Sequence, residues 1–219
     1  MLFRSVESFY WLAKTIEADP LFDSKRARSK LRRYVESHDT AIRSKAEIMV
    51  DHFLDDVLPL REMKGEARAM VVTGGIERAV RYFGAVRTYL EERRSPFLPI
   101  VAFSGDHDFG AGPVSEASLN GFPSSEITSR IQEDPYRFLI CADKFQTGYD
   151  EPLLQAMYVD KPLGGIQAVQ TLSRLNRAAP GKGKVFVLDF QDNADAVQAA
   201  FGDYYKTTLL SQEIGRAHV

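Results

Sequence analysis

From residue 66 onward the chain alternates short, unbroken apolar runs with stretches whose apolar residues recur every three to four positions. The unbroken runs "ARAMVVT" (67–73), "LPIVAFSG" (98–105), "RFLICADKF" (137–145), "LQAMYVD" (154–160) and "GKVFVLDF" (183–190) predict strands buried on both faces. Between and after them, "IERAVRYFGAVRTYLEERR" (76–94), "SSEITSRIQED" (124–134), "GGIQAVQTLSRLNR" (164–177) and "ADAVQAAFGDYYK" (194–206) predict helices. Ser124 and Ser125 open the second of these, with Glu126 near capping-box spacing. The stretch "DHDFGAGPVSEASLNGFP" (106–123) reads as a loop. Strands alternating with helices predict an α/β fold with a doubly wound parallel sheet.

Residues 4–58 have a different texture and read as helices only. Val6, Phe9, Tyr10, Leu12, Ala13 and Ile16 make one stripe, and apolar residues at 31, 34, 35, 42, 46, 49, 50, 53, 54 and 57 make another. Asp39 or Thr40 is the expected cap and Pro59 the expected stop. The organisation read from this is a helical segment over 1–62, an α/β domain over 63–208 and a non-native tail at 213–219. That tail, "EIGRAHV", looks like a translated sequencing adapter, and the chain is expected to be a truncated piece of a longer one.

Composition narrows the functional classes without choosing among them. Net charge is −2 over 219 residues, so any contact with nucleic acid must be local. The single cysteine, Cys141, sits in an apolar run, which suggests a reduced, cytoplasmic setting. His38, His52, His107 and His218 are scattered and offer no metal-ligand spacing. No apolar stretch approaches the ~20 residues of a membrane span.

Polar residues gather past the strand ends, where doubly wound sheets bind ligands. The exits are Thr73-Gly74-Gly75, Ser104-Gly105-Asp106, Ala142-Asp143-Lys144 and Asp160-Lys161-Pro162, small enough for a phosphate backbone or simply turns. In "CADKFQTGYDEP" (141–152) Gly148 permits unusual backbone, and Asp150 can accept hydrogen bonds, for example from a ribose hydroxyl. Gln170, Arg174 and Arg177 fall at i, i+4 and i+7, one face of the expected helix, with Val169, Leu172 and Leu175 on another. No acidic residue interrupts 166–177, so a phosphate clamp competes with a solvated basic face. "APGKGK" (179–184) lacks P-loop spacing and reads as a surface turn. The basic run "KRARSKLRR" (25–33) fits a DNA contact or a solvated helix equally.

These residues carry a family resemblance. "DKFQTGYDEP" (143–152) resembles helicase motif V, and "QTLSRLNR" (170–177) resembles motif VI of superfamily 2 helicases. Together with "AEIMVDHF", "AMVVT", "AFSG" and "NGFP" they resemble the restriction (R, motor) subunit of type I restriction enzymes over roughly residues 25–205. The resemblance implies a second RecA-like domain, of the P-loop NTPase type, in an ATP-driven translocase on double-stranded DNA. Carried over, Arg177 would be the arginine finger, Arg174 would assist at the phosphates and Gln170 would couple the site to domain movement. Gly148 and Asp150 would lie at the nucleotide cleft with ATP and Mg2+, both held mainly by the first motor domain of the same full-length chain. Thr73, Ser104, Gly105, Asp143, Lys144 and Thr147 would lie nearer the DNA. The partners implied are DNA, that first motor domain, and modification and specificity subunits, with no membrane.

The sequence departs from the family where Gly74-Gly75-Ile76 follows Thr73 instead of a Ser-Ser-Arg-like run. It also has no Walker A lysine, no Walker B acidic pair and no recognisable nuclease motif, so the chain alone is expected to be inactive. The competing readings are another superfamily 2 helicase, a stand-alone nucleotide-binding module, and a nuclease using Asp106 and Asp108 beside His107.

Overall fold

The computed structural model describes residues 38–110, 112–145 and 149–191. The helices expected over the first 37 residues, the basic run 25–33, the helix 194–206 and the tail lie outside the described residues.

The elements are helix α1 (Asp39–Asp51), strand β1 (Arg68–Thr73), helix α2 (Ile76–Glu92), strand β2 (Leu98–Ala102), strands β3 (His107–Asp108) and β4 (Pro113–Val114), helices α3 (Glu116–Asn120) and α4 (Ile127–Arg130), strands β5 (Tyr136–Cys141) and β6 (Leu154–Asp160), helix α5 (Gly165–Leu172) and strand β7 (Phe186–Asp189). Five strands form one parallel sheet in the order β2-β5-β1-β6-β7.

Alternating residues of β1, β2, β5 and β6 feed two separate cores, which is why their apolar runs are unbroken. The edge strand β7, expected to be buried on both faces, instead leaves Val187 45% exposed. On one face Ala69, Val71, Val101, Phe138, Ile140 and Tyr158 pack with Ile42, Met49 and Phe53 and with Tyr82, Phe83 and Val86 of α2. On the other, Met70, Val72, Ile100, Leu139, Met157 and Val159 meet Ile127, Ile131, Leu163, Val169, Leu172 and Leu175. The sheet is thus covered on both sides, the doubly wound arrangement expected from the pattern. Helix α1 shares the first core, and the chain continues from it through a π-helical turn (His52–Val57) into a 3-10 turn (Leu58–Leu60) containing Pro59.

Local differences from the expected elements have simple causes. Helix α1 is capped by His38, whose Nδ1 accepts from the Thr40 N–H at 3.4 Å, and not by Asp39 or Thr40. The capping box lies at Ser115 and Ser118, which opens α3 inside the stretch read as loop; serine can fill both box positions, so the missing Glu or Gln hid it. Helix α4 is only four residues long, after a 3-10 turn (Ser124–Glu126) without a side-chain cap.

Cys141 is buried at the end of β5, and burial pushes its thiol up to about 12. A thiolate-directed reagent at pH 8 should therefore leave the native chain unmodified and label it once after denaturation. Labelling at the rate of a free thiol before denaturation would contradict this packing.

Candidate functional site

Because all five strands run the same way, their amino ends share one edge of the sheet and their carboxyl ends the other. For strands of six or seven residues the two edges lie roughly 20 Å apart. This separates the predicted residues into two groups.

Asp150, Arg174 and Arg177 gather at the amino edge, opposite to where the strand-exit rule placed ligands. Asp150 enters that edge ahead of Leu154, whose neighbour Leu153 accepts the Arg68 N–H at 2.8 Å. Helix α5 runs back from the end of β6 and delivers Arg174 and Arg177 to the same place.

The one-face arrangement of Gln170, Arg174 and Arg177 does not survive. The α-helix stops at Leu172 and tightens into a 3-10 turn over Ser173–Asn176, and Arg177 is already extended at φ −65°, ψ 126°. Tightening to three residues per turn rotates the later side chains away from the α-helical face. Gln170 stays exposed. Arg174 turns inward, 8% exposed, and donates from Nη1 to the Tyr149 carbonyl. Burial, then the neighbouring charge of Arg177, lowers the Arg174 pKa against the pull of Asp150. Arg177 points outward and pairs with Asp150 at 3.2 Å, the two side chains 55% and 66% exposed.

These two arginines therefore differ in kind. Arg174 is a fixed strut that joins the turn after α5 to the segment before β6. Arg177 holds an exposed ion pair, weak by its solvation, so its fork of donors can exchange Asp150 for a phosphate.

Two further side chains at this edge were not singled out from sequence. Lys182 donates from Nζ to the carbonyls of Pro152 and Arg177, each at 3.0 Å. The Glu62 carboxylate accepts from the Gly183 and Lys184 N–H groups, both at 2.9 Å, and from Gln155 Nε2 at 2.6 Å. Those backbone bonds hold the Glu62 pKa below its ordinary value. "APGKGK" is thus a docked turn, not a free surface one; glycine and lysine content gave no hint of the docking.

The carboxyl edge carries Thr73, Ser104, Gly105, Asp143 and Lys144. Thr73 is fully buried, its hydroxyl donating to the carbonyls of Gly75 (3.1 Å) and Cys141 (3.3 Å). Lys144 places its ammonium 2.8 and 2.7 Å from the two oxygens of buried Glu116, which also accepts the Phe103 N–H at 2.6 Å. Asp143 is exposed and pairs with Lys161 at 3.4 Å. Ser104 and Gly105 are exposed in a turn closed by His107 Nε2 on the Ser104 carbonyl at 2.8 Å. Of the set, Ser104, Gly105 and Asp143 present themselves to solvent. Thr147 and Gly148 lie outside the described residues.

Asp160 organises this edge. Its buried carboxylate receives Lys45 Nζ at 2.8 Å, Tyr82 Oη at 2.7 Å and Gln191 Nε2 at 2.7 Å, with Arg78 Nη1 at 3.7 Å. Burial alone would raise its pKa, but the Lys45 charge and hydrogen bond, then Tyr82 and Arg78, outweigh it and hold the carboxyl below its usual range. Asp106, His107 and Asp108 do not form a carboxylate cluster: Asp108 is spent on the Gly110 and Gly112 N–H groups at 2.7 and 3.2 Å. Among the described residues no group of three or more His, Cys, Asp or Glu could hold a metal ion, and no helix is long and apolar enough to cross a membrane.

A parallel sheet covered on both faces, with an arginine-bearing turn at one edge, makes this a doubly wound α/β domain. Residues 114–192 match the family model described as type I restriction enzyme subunit R domain 3, and the chain is related to the R subunits of type I restriction enzymes. A Methanocaldococcus jannaschii protein named as a type I restriction enzyme MjaVIIP endonuclease subunit is 28% identical over 184 residues, 77% of this chain and 17% of that protein. The type I restriction enzyme HindI endonuclease subunit of Haemophilus influenzae is 32% identical over 78 residues, 34% of this chain and 7% of that protein. Among solved structures, the helicase domain of Pyrococcus furiosus Hef is similar at a TM-score of 0.40 and 15% identity, covering 93% of this chain and 37% of that one. The chain thus spans less than a fifth of either curated relative's length.

Replacing Asp160 with Ala should strand the Lys45 and Arg78 charges in a poorly solvated place and cost about 3–5 kcal/mol, read by denaturant unfolding. Since its folded pKa is depressed, the stabilisation is present above the unfolded pKa and fades as pH falls through the lower folded value. An Asp160→Ala chain as stable as the parent at pH 7 would refute the role given to this carboxylate.

Proposed function

We propose that this chain is the second RecA-like part of the motor in a type I restriction enzyme R subunit, supplying motifs IV–VI to an ATP-driven translocase on double-stranded DNA. Residues 63–208 make up that motor domain, and the helical segment 1–62 leads from the first one. The observation that carries the reading is the contrast at the amino edge, where buried Arg174 fixes a turn from which exposed Arg177 projects beside Asp150. The relationship to type I R subunits supports it.

In this reading the nucleotide sits between two domains, with ATP and Mg2+ held mainly by the first. Such a nucleotide fits the donor chemistry of this edge: the Arg177 guanidinium can meet phosphate oxygens bidentately, and Asp150 can accept from a ribose hydroxyl. Phosphoryl transfer needs positioning and charge stabilisation, and an arginine finger contributes about 10³–10⁵ in rate. Arg174 keeps the Arg177 turn against the segment carrying Asp150, and Gly148 belongs to that segment. Gln170, exposed on α5, is placed to couple the cleft to domain movement.

The carboxyl edge, roughly 20 Å away, is the DNA side of the proposal, with Ser104, Gly105 and Asp143 accessible and Thr147 nearby in sequence. Thr73 and Lys144 contribute by shaping that edge, their polar groups being engaged within the chain. The same enzyme brings modification and specificity subunits as partners and works in the cytoplasm. Nuclease and Walker residues belong to other parts of the subunit.

In the full-length subunit, Arg177→Ala should abolish ATP turnover while ATP binding stays near its original affinity, and this chain by itself should hydrolyse no ATP. Undiminished turnover in the variant would refute the finger, and steady hydrolysis by the isolated chain would refute a shared site.

A further inference from the structure

The turn at 179–184 is held more firmly than a connection into an edge strand requires. Lys182 spans two carbonyls that belong to different parts of the amino edge, Pro152 before β6 and Arg177 after α5, each at 3.0 Å. The next two residues, Gly183 and Lys184, give their N–H groups to Glu62. Gly181 has φ +80°, its carbonyl accepts the Met63 N–H at 3.3 Å, and a Cβ on it would meet that nitrogen at 3.3 Å. The turn is therefore anchored on one side to residues 62–63 and on the other to the carbonyl of Arg177.

We propose that Lys182 is a positioning residue for Arg177: its ammonium locks the Arg177 carbonyl to the Pro152 carbonyl, so that the guanidinium projects from a fixed turn beside Asp150. The inference rests on the reading of Arg177 given above. The geometry of Arg177 explains the need. Its own residue is extended, beyond the last 3-10 turn, and its N–H reaches the Arg174 carbonyl at a long 3.4 Å. Its side-chain partner Asp150 is exposed. Three residues earlier, Arg174 ties the turn to the Tyr149 carbonyl, but Lys182 takes hold of the Arg177 carbonyl itself and joins it to the segment bearing Asp150.

A lysine suits the task. Three ammonium donors can serve two carbonyls at once, and a single positive charge can be tolerated half-buried near the buried carboxyl of Glu151. Burial lowers the Lys182 pKa, and Glu151 opposes that shift. Misplacing a reacting group by about 1 Å can cost about 10²-fold in rate, so a loosened arginine turn should appear in turnover and not in nucleotide affinity.

The test is steady-state ATP hydrolysis by the full-length subunit in its assembled complex, comparing wild type, Lys182→Met, Lys182→Arg and Arg177→Ala, with the melting temperature of each. Lys182→Met should lower kcat about tenfold or more with KM for ATP and melting temperature unchanged, and Lys182→Arg should recover most of the loss. A wild-type kcat in Lys182→Met, a loss that tracks a lowered melting temperature or a raised KM, or an arginine variant as impaired as the methionine one would each overturn the proposal. If Lys182→Met does not fold, Gly181→Ala displaces the same turn with Lys182 left in place. It must then show the same fall in kcat at constant KM, and an unaltered kcat overturns the proposal. Arg177→Ala separates the two readings: turnover surviving there removes the finger itself, whereas its loss beside a fully active Lys182→Met removes only the role of Lys182.

Discussion

Strand β1 is hydrogen-bonded along both edges, to β5 and to β6, and all six of its residues are buried. A strand so placed can offer nothing to a ligand along its length. Both of its faces belong to cores, and both of its ladders are occupied. Chemistry is thereby confined to the two edges where the parallel strands begin and end. Even the polar residues at the ends of β1 are absorbed. Arg68 is fully buried and donates to the carbonyls of Ile131 (2.5 Å) and Gln132 (2.9 Å), and Thr73 closes the exit turn.

The two edges are built on different electrostatic terms. At the carboxyl edge the buried carboxylates of Asp160 and Glu116 are each satisfied by lysine, Asp160 also joining α1, α2 and the segment after β7, while Asp143 lies in solvent. At the amino edge the buried charges serve as struts, and the outward-facing pair Arg177 and Asp150 is left solvated. Rigid backing behind an exposed, exchangeable ion pair is what the proposed half-site would need, its partner phosphate being supplied by another domain.

Much of this was legible in the sequence. The unbroken apolar runs at 67–73, 137–145 and 154–160 carried the strand assignments because both faces are buried. The motif residues 150, 174 and 177 do converge on one place. The edge they occupy is not one the strand-exit rule reaches, because that rule concerns loops that follow strands, whereas Asp150 and Arg177 precede β6 and β7. The shared helix face failed because spacing alone does not reveal where an α-helix tightens to 3-10; Leu172 and Leu175 must both stay in the core, and the tighter turn lets them. The roles of Lys182 and Glu62, and the contacts of the strand-exit residue Asp160, were invisible for another reason. Each acts through main-chain groups or residues distant in sequence, which periodicity does not encode.

In the proposed cleft this chain forms one wall, and Arg177 is its reaching group. The most direct measurement is a structure of the full-length subunit with an ATP transition-state mimic. There the Arg177 guanidinium should lie within hydrogen-bond range, about 3 Å, of the terminal phosphate position, with Asp150 released and Arg174 still on the Tyr149 carbonyl. A bound nucleotide mimic with Arg177 still paired to Asp150 and distant from every phosphate would contradict it.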